Sequence, residues 1–294
     1  MSRLTPKYDE LQSIYDISNE FFELFLGPTM GYTCGYFERD DMTTDEAQNA
    51  KFDLALGKLG LQPGMTLLDV GCGWGGGMQR AIEKYDVNVI GLTLSEQQRD
   101  YAIDKLAKVE TDRNVEVRLQ GWEEFDEKVD RIVSIGAFEH FGHDRYDAFF
   151  EMAYGALPDD GVMLLHTITA VNMADGKELG LKMTFELARF AKFIMTEIFP
   201  GGRLPSVPMV VDKATAAGFE VTRVHQIGQH YVKTLQGWAA ALESHREEAI
   251  AVQSQEVYDR YDKYLNGCVR LFREGYTNLG QFSLEKTPGA GQSS

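Results

Sequence analysis

Leu67-Leu68-Asp69-Val70-Gly71-Cys72-Gly73-Trp74-Gly75 is the stretch on which the reading of this chain turns. An apolar run ends in alternating glycines, and helix-compatible residues follow. Glycine lets a backbone turn sharply and approach a ligand closely, and the free N–H groups at a helix start favour a polar or anionic group. The stretch therefore reads as a strand, a tight turn and a nucleotide-like site at the strand's end. Gly71, Gly73 and Gly76 also satisfy the G-x-G-x-x-G spacing of dinucleotide sites, so spacing by itself does not choose the ligand.

Working outward, short segments rich in Val, Ile and Leu at 66–71, 87–92, 129–135 and 161–168 alternate with helix-compatible stretches such as 78–85 and 95–109. That alternation predicts a parallel α/β sheet. Further strands are expected at 219–227 and 281–285, with a long helical region, 235–272, between them. No Pro/Gly/Ser-rich linker divides the chain, so a single domain is expected over 1–286. Its parts are an N-terminal helical lid segment (1–60), a cofactor-binding core (61–168), a lid insertion (169–215) and a C-terminal part of the core (216–286). The Gly/Ser-rich tail 287–294 reads as disordered. Tyr8, Tyr15, Phe21, Phe22 and Phe25 in the first segment, and Phe185, Phe190, Phe193, Ile194, Ile198 and Phe199 in the insertion, either line a lid or simply enlarge the core.

The 294 residues carry 45 acidic against 29 Lys and Arg side chains, a formal charge of −16. That balance argues against nucleic acid or an anionic membrane as the main partner. The N-terminus lacks an apolar signal core, and no run approaches the roughly 18 apolar residues of a membrane span, so a cytoplasmic protein without stable membrane insertion is expected. Cys34, Cys72 and Cys268 are too few and too scattered for a disulfide framework or a metal pair, and no metal site is expected.

Asp69, two residues before the first glycine, tips the choice of ligand, because D-x-G-x-G resembles motif I of the class I S-adenosylmethionine methyltransferases. There the glycines approach the methionyl part of the cofactor and the acid organises its amino group. The second strand usually ends in an acid that binds the ribose, but here it reads Gly91-Leu92-Thr93-Leu94-Ser95-Glu96-Gln97-Gln98. Thr93 and Gln98 must then make those contacts as neutral hydrogen-bonding groups. Trp122, in Gly121-Trp122-Glu123 after the third strand, either covers the adenine or is a core aromatic.

Longer strings narrow the resemblance. Gly64 through Gly75, Asn88-Val89-Ile90-Gly91-Leu92-Thr93-Leu94-Ser95, Ala137-Phe138-Glu139-His140-Phe141-Gly142-His143 and Glu197-Ile198-Phe199-Pro200-Gly201-Gly202-Arg203-Leu204-Pro205 resemble the mycobacterial mycolic acid cyclopropane synthase and methyltransferase family, from about Tyr15 to Lys286. The resemblance implies a Rossmann-like seven-stranded class I fold with its last strand antiparallel, a helical lid, and an apolar tunnel for an unsaturated meromycolyl chain on acyl carrier protein. It carries S-adenosylmethionine contacts, with S-adenosylhomocysteine as product, to Tyr32, Thr33, Leu67, Leu68, Asp69, Val70, Gly71, Cys72, Gly73, Trp74, Gly75, Thr93, Leu94, Ser95, Glu96, Gln97, Gln98, Trp122, Glu123 and Ile135. One departure is Gly35, where relatives usually have alanine; slightly more backbone freedom is expected there.

An alkene attacked by a sulfonium methyl becomes a carbocation, which needs a dry, electron-rich site. Ring closure then needs a base for the departing proton. The resemblance implies bound bicarbonate or carbonate, held by Cys34, Glu139, His140, His166 and Tyr231. Read alone, His166 is more often a satisfied core histidine, and Glu139-His140 equally a structural pair, although both fall where strand ends line the ligand crevice. Cys268 matches a cysteine proposed as an active-site residue in the family, yet methyl transfer needs no covalent enzyme intermediate, which favours a structural role. Arg189 and Lys192, i,i+3 on a lid helix, and Arg203 are candidate contacts to an acidic carrier. Other fates for the cation are a hydroxy-methyl or methyl-branched product, and a non-catalytic lipid-binding protein is the reading outside enzymes.

Overall fold

Seven strands in the order β3-β2-β1-β4-β5-β7-β6 form one sheet: β1 Thr66–Val70, β2 Asn88–Thr93, β3 Val115–Leu119, β4 Arg131–Ile135, β5 Val162–Ala170, β6 Phe219–Gln226 and β7 Thr277–Lys286. The computed structural model describes residues 4–6, 17–171, 173–182 and 184–286, with backbone alone at 173–175. Tyr8, Tyr15 and the tail 287–294 lie outside the described residues. β7 runs antiparallel to both its neighbours, and the other pairs, β1 to β5, are parallel, as the class I reading expects.

Alternation along each strand sends successive side chains to opposite faces. Leu67, Val89, Val133 and Leu164 pack on one face with Phe52, Leu56, Met78 and Ile82, which belong to α2 (Thr44–Leu56) and α3 (Gly76–Tyr85). Leu68, Ile90, Ile132 and Leu165 pack on the other with Phe149, Phe150, Val210 and Ala214 of α5 (Tyr146–Ala156) and α8 (Val207–Ala216). Each such buried side chain contributes about 1.5–3 kcal/mol.

A third apolar cluster sits apart from both layers. Phe21, Phe22 and Phe25 of α1 (Asn19–Leu26) meet Trp238 of α9 (His230–Ser244) and Tyr258, Tyr261, Tyr264 and Phe272 of α11 (Gln255–Arg273). The helical region expected at 235–272 is thus interrupted: α10 (Arg246–Val252) intervenes, and Ser254 caps α11 by accepting a hydrogen bond from Val257 N at 3.2 Å. Strand β7 begins at Thr277, four residues before the expected segment, because pairing with β5 holds Asn278 and Gly280 extended despite their weak strand preference.

The ends of the 169–215 segment belong to the core, since β5 runs to Ala170 and α8 packs on β6. Between them lie α6 (Met173–Glu178), α7 (Phe185–Phe193) and a π-helical turn, Ile194–Ile198. The segment is stapled down at its far end: Arg203 N donates to Glu139 O and Ala170 N to Pro205 O, both at 2.9 Å. Phe190 lies on Gly267 of α11, where any Cβ would come within 2.1 Å of its ring. The aromatic segments therefore both cover the strand ends and fill a core. Among the described residues no helix is long and apolar enough to cross a membrane.

Candidate active site

Strand order reverses direction between β1 and β4, and the crevice at such a switch point is where open α/β sheets bind ligands. A cavity opens there. Gly71 has φ 83°, and a Cβ on it would sit 2.3 Å from Ala137 Cβ, so both its conformation and the neighbouring chain require glycine. Gly73, at φ 54°, faces open space.

Asp69, Val70, Gly71, Cys72, Gly73 and Trp74 form the cavity's wall at the end of β1; Thr93, Leu94, Ser95 and Gln98 form it at the end of β2. Tyr32 and Thr33, Trp122 and Glu123, and Ile135 complete the expected set on the lining. Five residues of that set stand off it. Leu67 and Leu68 are fully buried in the two sheet layers. Gly75 packs toward Ala102 of α4 (Glu96–Leu106), while Glu96 is exposed and Gln97 half-buried on the first turn of that helix.

Several side chains have tasks the sequence did not reveal. Thr93 Oγ1 donates to Gln98 Oε1 at 2.9 Å and accepts from Ser95 N at 3.2 Å. Its hydroxyl is thereby engaged in orienting Gln98, whose amide N–H groups remain able to donate into the cavity. Trp122 lines the cavity and also meets Phe141 and Phe149, with ring centres 5.5 and 5.4 Å away, so it is a core aromatic with one side on the cavity. Glu123 forms a nearly buried ion pair with Arg145 at 2.7 Å, and Arg145 also donates to Thr5 O. Trp74 Nε1 donates to Asn19 Oδ1 at 2.7 Å, tying the glycine loop to α1.

The most prominent residues the sequence reading missed are on α2. Thr43 caps this helix, accepting from Glu46 N while Glu46 Oε2 accepts from Thr43 N at 2.7 Å. Gln48 and Lys51, one turn apart on the helix, are both fully buried. Gln48 Nε2 donates to Thr33 O at 2.6 Å and Lys51 Nζ to Thr33 Oγ1 at 2.7 Å. Burial lowers the Lys51 ammonium to about 7 and raises the Asp69 carboxyl to about 7. Two long polar residues at i,i+3 beside Ala47, Phe52 and Ala55 were the available signal.

A second, closed site lies next to the first. Glu139 follows β4 in a 3-10 turn, Phe138–His140, and its Oε1 accepts from Ile168 N on β5 at 2.7 Å. Its Oε2 is buried without a hydrogen-bond partner among the described residues, and so is His166 Nε2, two residues back along β5. His166 Nδ1 lies 3.2 Å from Gln281 Nε2. Burial holds the Tyr231 phenol well above its usual range, and Tyr264, Cys34, Glu139 and Cys268 are all near enough to add to the shift. His140 differs, since it lines the first cavity with its ring 5.7 Å from that of Phe199.

Burial sets the protonation of this site. It raises Glu139 to about 7, lowers His140 to about 4 and holds His166 well below the usual histidine range. The Cys268 thiol is pushed up to about 12 by burial alone, and Cys34 is raised further. Thr234 and Lys51 only partly offset the burial of Cys34, and nothing offsets that of Cys268, so a structural role for Cys268 fits better. Gly35 corrects an expectation: its φ is not left-handed, and a Cβ there would lie 3.0 Å from Ala47 Cβ. Space against α2, rather than backbone freedom, is what glycine supplies.

The family model for mycolic acid cyclopropane synthetase matches residues 2–282. The chain belongs to the mycolic acid cyclopropane synthetase family. Cyclopropane mycolic acid synthase 1 of Mycobacterium tuberculosis is 62% identical over 283 residues, covering 96% of this chain and 99% of that protein. The S-adenosylmethionine-dependent methyltransferase UmaA of the same organism is 61% identical, covering 97% and 100%. The crystal structure of mycolic acid cyclopropane synthase CmaA1 with SAH and CTAB superposes with a TM-score of 0.94 at 62% identity, covering 96% and 99%. The chain is accordingly an enzyme of the S-adenosylmethionine-dependent methyltransferase class, and its fold is the class I fold of these relatives.

Proposed function

We propose that this member of the family methylates a double bond of a long meromycolyl-type acyl chain and closes a cyclopropane ring there. The observation that carries the reading is the pair of buried, unpartnered polar atoms, Glu139 Oε2 and His166 Nε2, the first on a carboxyl that lies, like Cys34, close to Tyr231. Leaving such atoms unsatisfied costs about 1–3 kcal/mol each, which a small hydrogen-bonding anion at this place would recover. The polar cavity beside it, with its glycine turn and Gln98, fits S-adenosylmethionine. When bound, S-adenosylmethionine supplies an electrophilic sulfonium methyl and becomes S-adenosylhomocysteine, and bicarbonate supplies a base for the proton lost at ring closure.

The chain's own residues do the rest. A protonated Glu139, favoured by its raised pKa, donates one hydrogen bond to an anion, while Tyr231 O–H donates another. A neutral His166 is kept from competing for the proton as a charged ring. Tyr32, Phe199, Tyr231 and Tyr264 present aromatic surface and exclude water, and each face is worth roughly 0.5–2 kcal/mol to a nearby cation. Arg189, Lys192 and Arg203 are exposed on the cover segment and offer local positive charge to an acidic acyl carrier protein, despite the −16 overall. A soluble protein acting in the cytoplasm agrees with this partner.

The test combines purified protein, methyl-labelled S-adenosylmethionine and an unsaturated acyl chain on carrier protein, with the lipid analysed by mass. A gain of CH2, with ring protons in the magnetic resonance spectrum, is the expected result. A gain of oxygen as well would reassign the product to capture of the cation by water, and unlabelled lipid would overturn the activity for this substrate class.

A further inference from the structure

Lys51 is a fully buried cation that the chemistry above leaves without a task. Its ammonium meets Thr33 Oγ1 and the face of Phe52, 3.6 Å from the ring centre. Among the described residues it has no ion pair. Asp69 is equally isolated: it is buried at the end of β1, and no described side chain or backbone N–H bonds its carboxylate. Yet both residues line the same cavity, near enough to influence one another's charge and too far apart to pair. Burying two separated charges is costly unless each finds a partner. One fixed cation and one fixed anion on a shared cavity wall are complementary to a zwitterion.

We propose that Lys51, with Thr33, seats the α-carboxylate of the cofactor's amino-acid end while Asp69 faces its ammonium group. The proposal rests on the cofactor reading above and adds a residue and a role to it. Thr33 Oγ1 accepts from Lys51, so its own hydrogen is free to donate to a carboxylate oxygen in the cavity. Gln48, one turn earlier on α2, holds Thr33 from its carbonyl side, fixing the hydroxyl's position. Burial draws both Lys51 and Asp69 toward neutrality, and a zwitterion between them restores the charge on each. Lys51 is thus a binding residue that discriminates the amino-acid end from any ligand lacking the carboxylate.

Calorimetric titration with S-adenosylmethionine and with decarboxylated S-adenosylmethionine tests this without any turnover. The wild type should bind the decarboxylated compound about 10–100-fold more weakly. Lys51→Met should lower S-adenosylmethionine affinity by a similar factor and leave the decarboxylated compound within about twofold, while Lys51→Arg should retain part of the preference. Equal losses for both ligands would make Lys51 merely structural and overturn the assignment. Should Lys51→Met fail to fold, the wild-type ratio still decides, because a ratio near one refutes a cationic carboxylate seat. Binding of neither ligand to the wild type would remove the cofactor reading itself, and the assignment with it.

Discussion

Asp69 with Lys51 and Glu139 with His166 are two pairs of buried titratable groups whose strand members, Asp69 and His166, share a sheet face, and the structure treats the pairs differently. The strand register places Asp69, Val133 and Leu164 side by side, then Ile135 and His166 one step further along. Asp69 and Lys51 border an open cavity whose wall includes Gly71, Gly73, Gly76 and Gly77. Glu139 and His166 are enclosed, each with one polar atom bonded and one bare. The first arrangement suits a ligand that brings both charges and enters from solvent. The second suits a small anion held away from water, next to aromatic rings that can face a developing cation. Desolvation brings both acids to about 7, so a perturbed pKa does not by itself distinguish binding from base chemistry; the geometry of the enclosure does.

The sharpest way to break this comparison is Glu139→Gln. Turnover should fall by about 10²-fold or more while S-adenosylmethionine affinity stays within twofold, measured by single-turnover kinetics and calorimetry. Equal losses of both would merge the two sites into one. Asp69→Asn should do the reverse, weakening cofactor affinity by about 10–100-fold with a smaller effect on the rate at saturation.

Gly35→Ala comes next and probes the frame rather than the chemistry. The added methyl must displace α2 at Ala47, so a loss of about 1–3 kcal/mol is expected, read as a lower melting temperature. Unchanged stability would show that α2 yields easily. The smallest effect on turnover should come from Cys268→Ala, within about threefold if the thiol only packs, since catalysis by a positioned group is worth at least about 10²-fold.

The pH dependence of stability offers a further comparison. Glu139 holds its proton to about 7 when folded, against an ordinary value of 4.5. Between those values the folded state binds more protons than the unfolded, so this group's contribution is fully present below about 4.5 and is lost as pH rises through 7. Lys51 acts in another window: lowered from 10.5 to about 7, it releases its proton on folding, so its penalty fades as pH rises from 7 toward 10.5. Denaturant unfolding of Glu139→Gln should therefore lose part of the decline between pH 4.5 and 7 and keep the wild-type slope above it.

How much of this was legible in the sequence differs between the two sites. Asp69 through Trp74, Thr93 through Ser95, Gln98 and Trp122 were found because the cofactor loop is local: glycines at set spacing dictate a turn, and the turn dictates where a ligand sits. The groups around Tyr231 come from residues as distant as Cys34 and Cys268, and no spacing rule links them; only the resemblance to a family pointed to them. Leu67, Leu68, Gly75, Glu96 and Gln97 were included by contiguity with the motifs, and the fold places them off the cavity lining.

By itself, then, the chain's order of residues determined the alternating strands and helices, the glycine turn at the end of β1 and the family, because hydrophobic period and glycine placement act over a few neighbouring residues. Tertiary structure alone decided that Thr93 orients Gln98, that Gly35 is a matter of space and that Lys51 reaches the cavity beside Asp69. Those facts depend on how α2 docks across the sheet. Docking is set by the packing of Phe52, Leu56 and Met78 against Leu67 and Leu164, a long-range fit that no local pattern encodes.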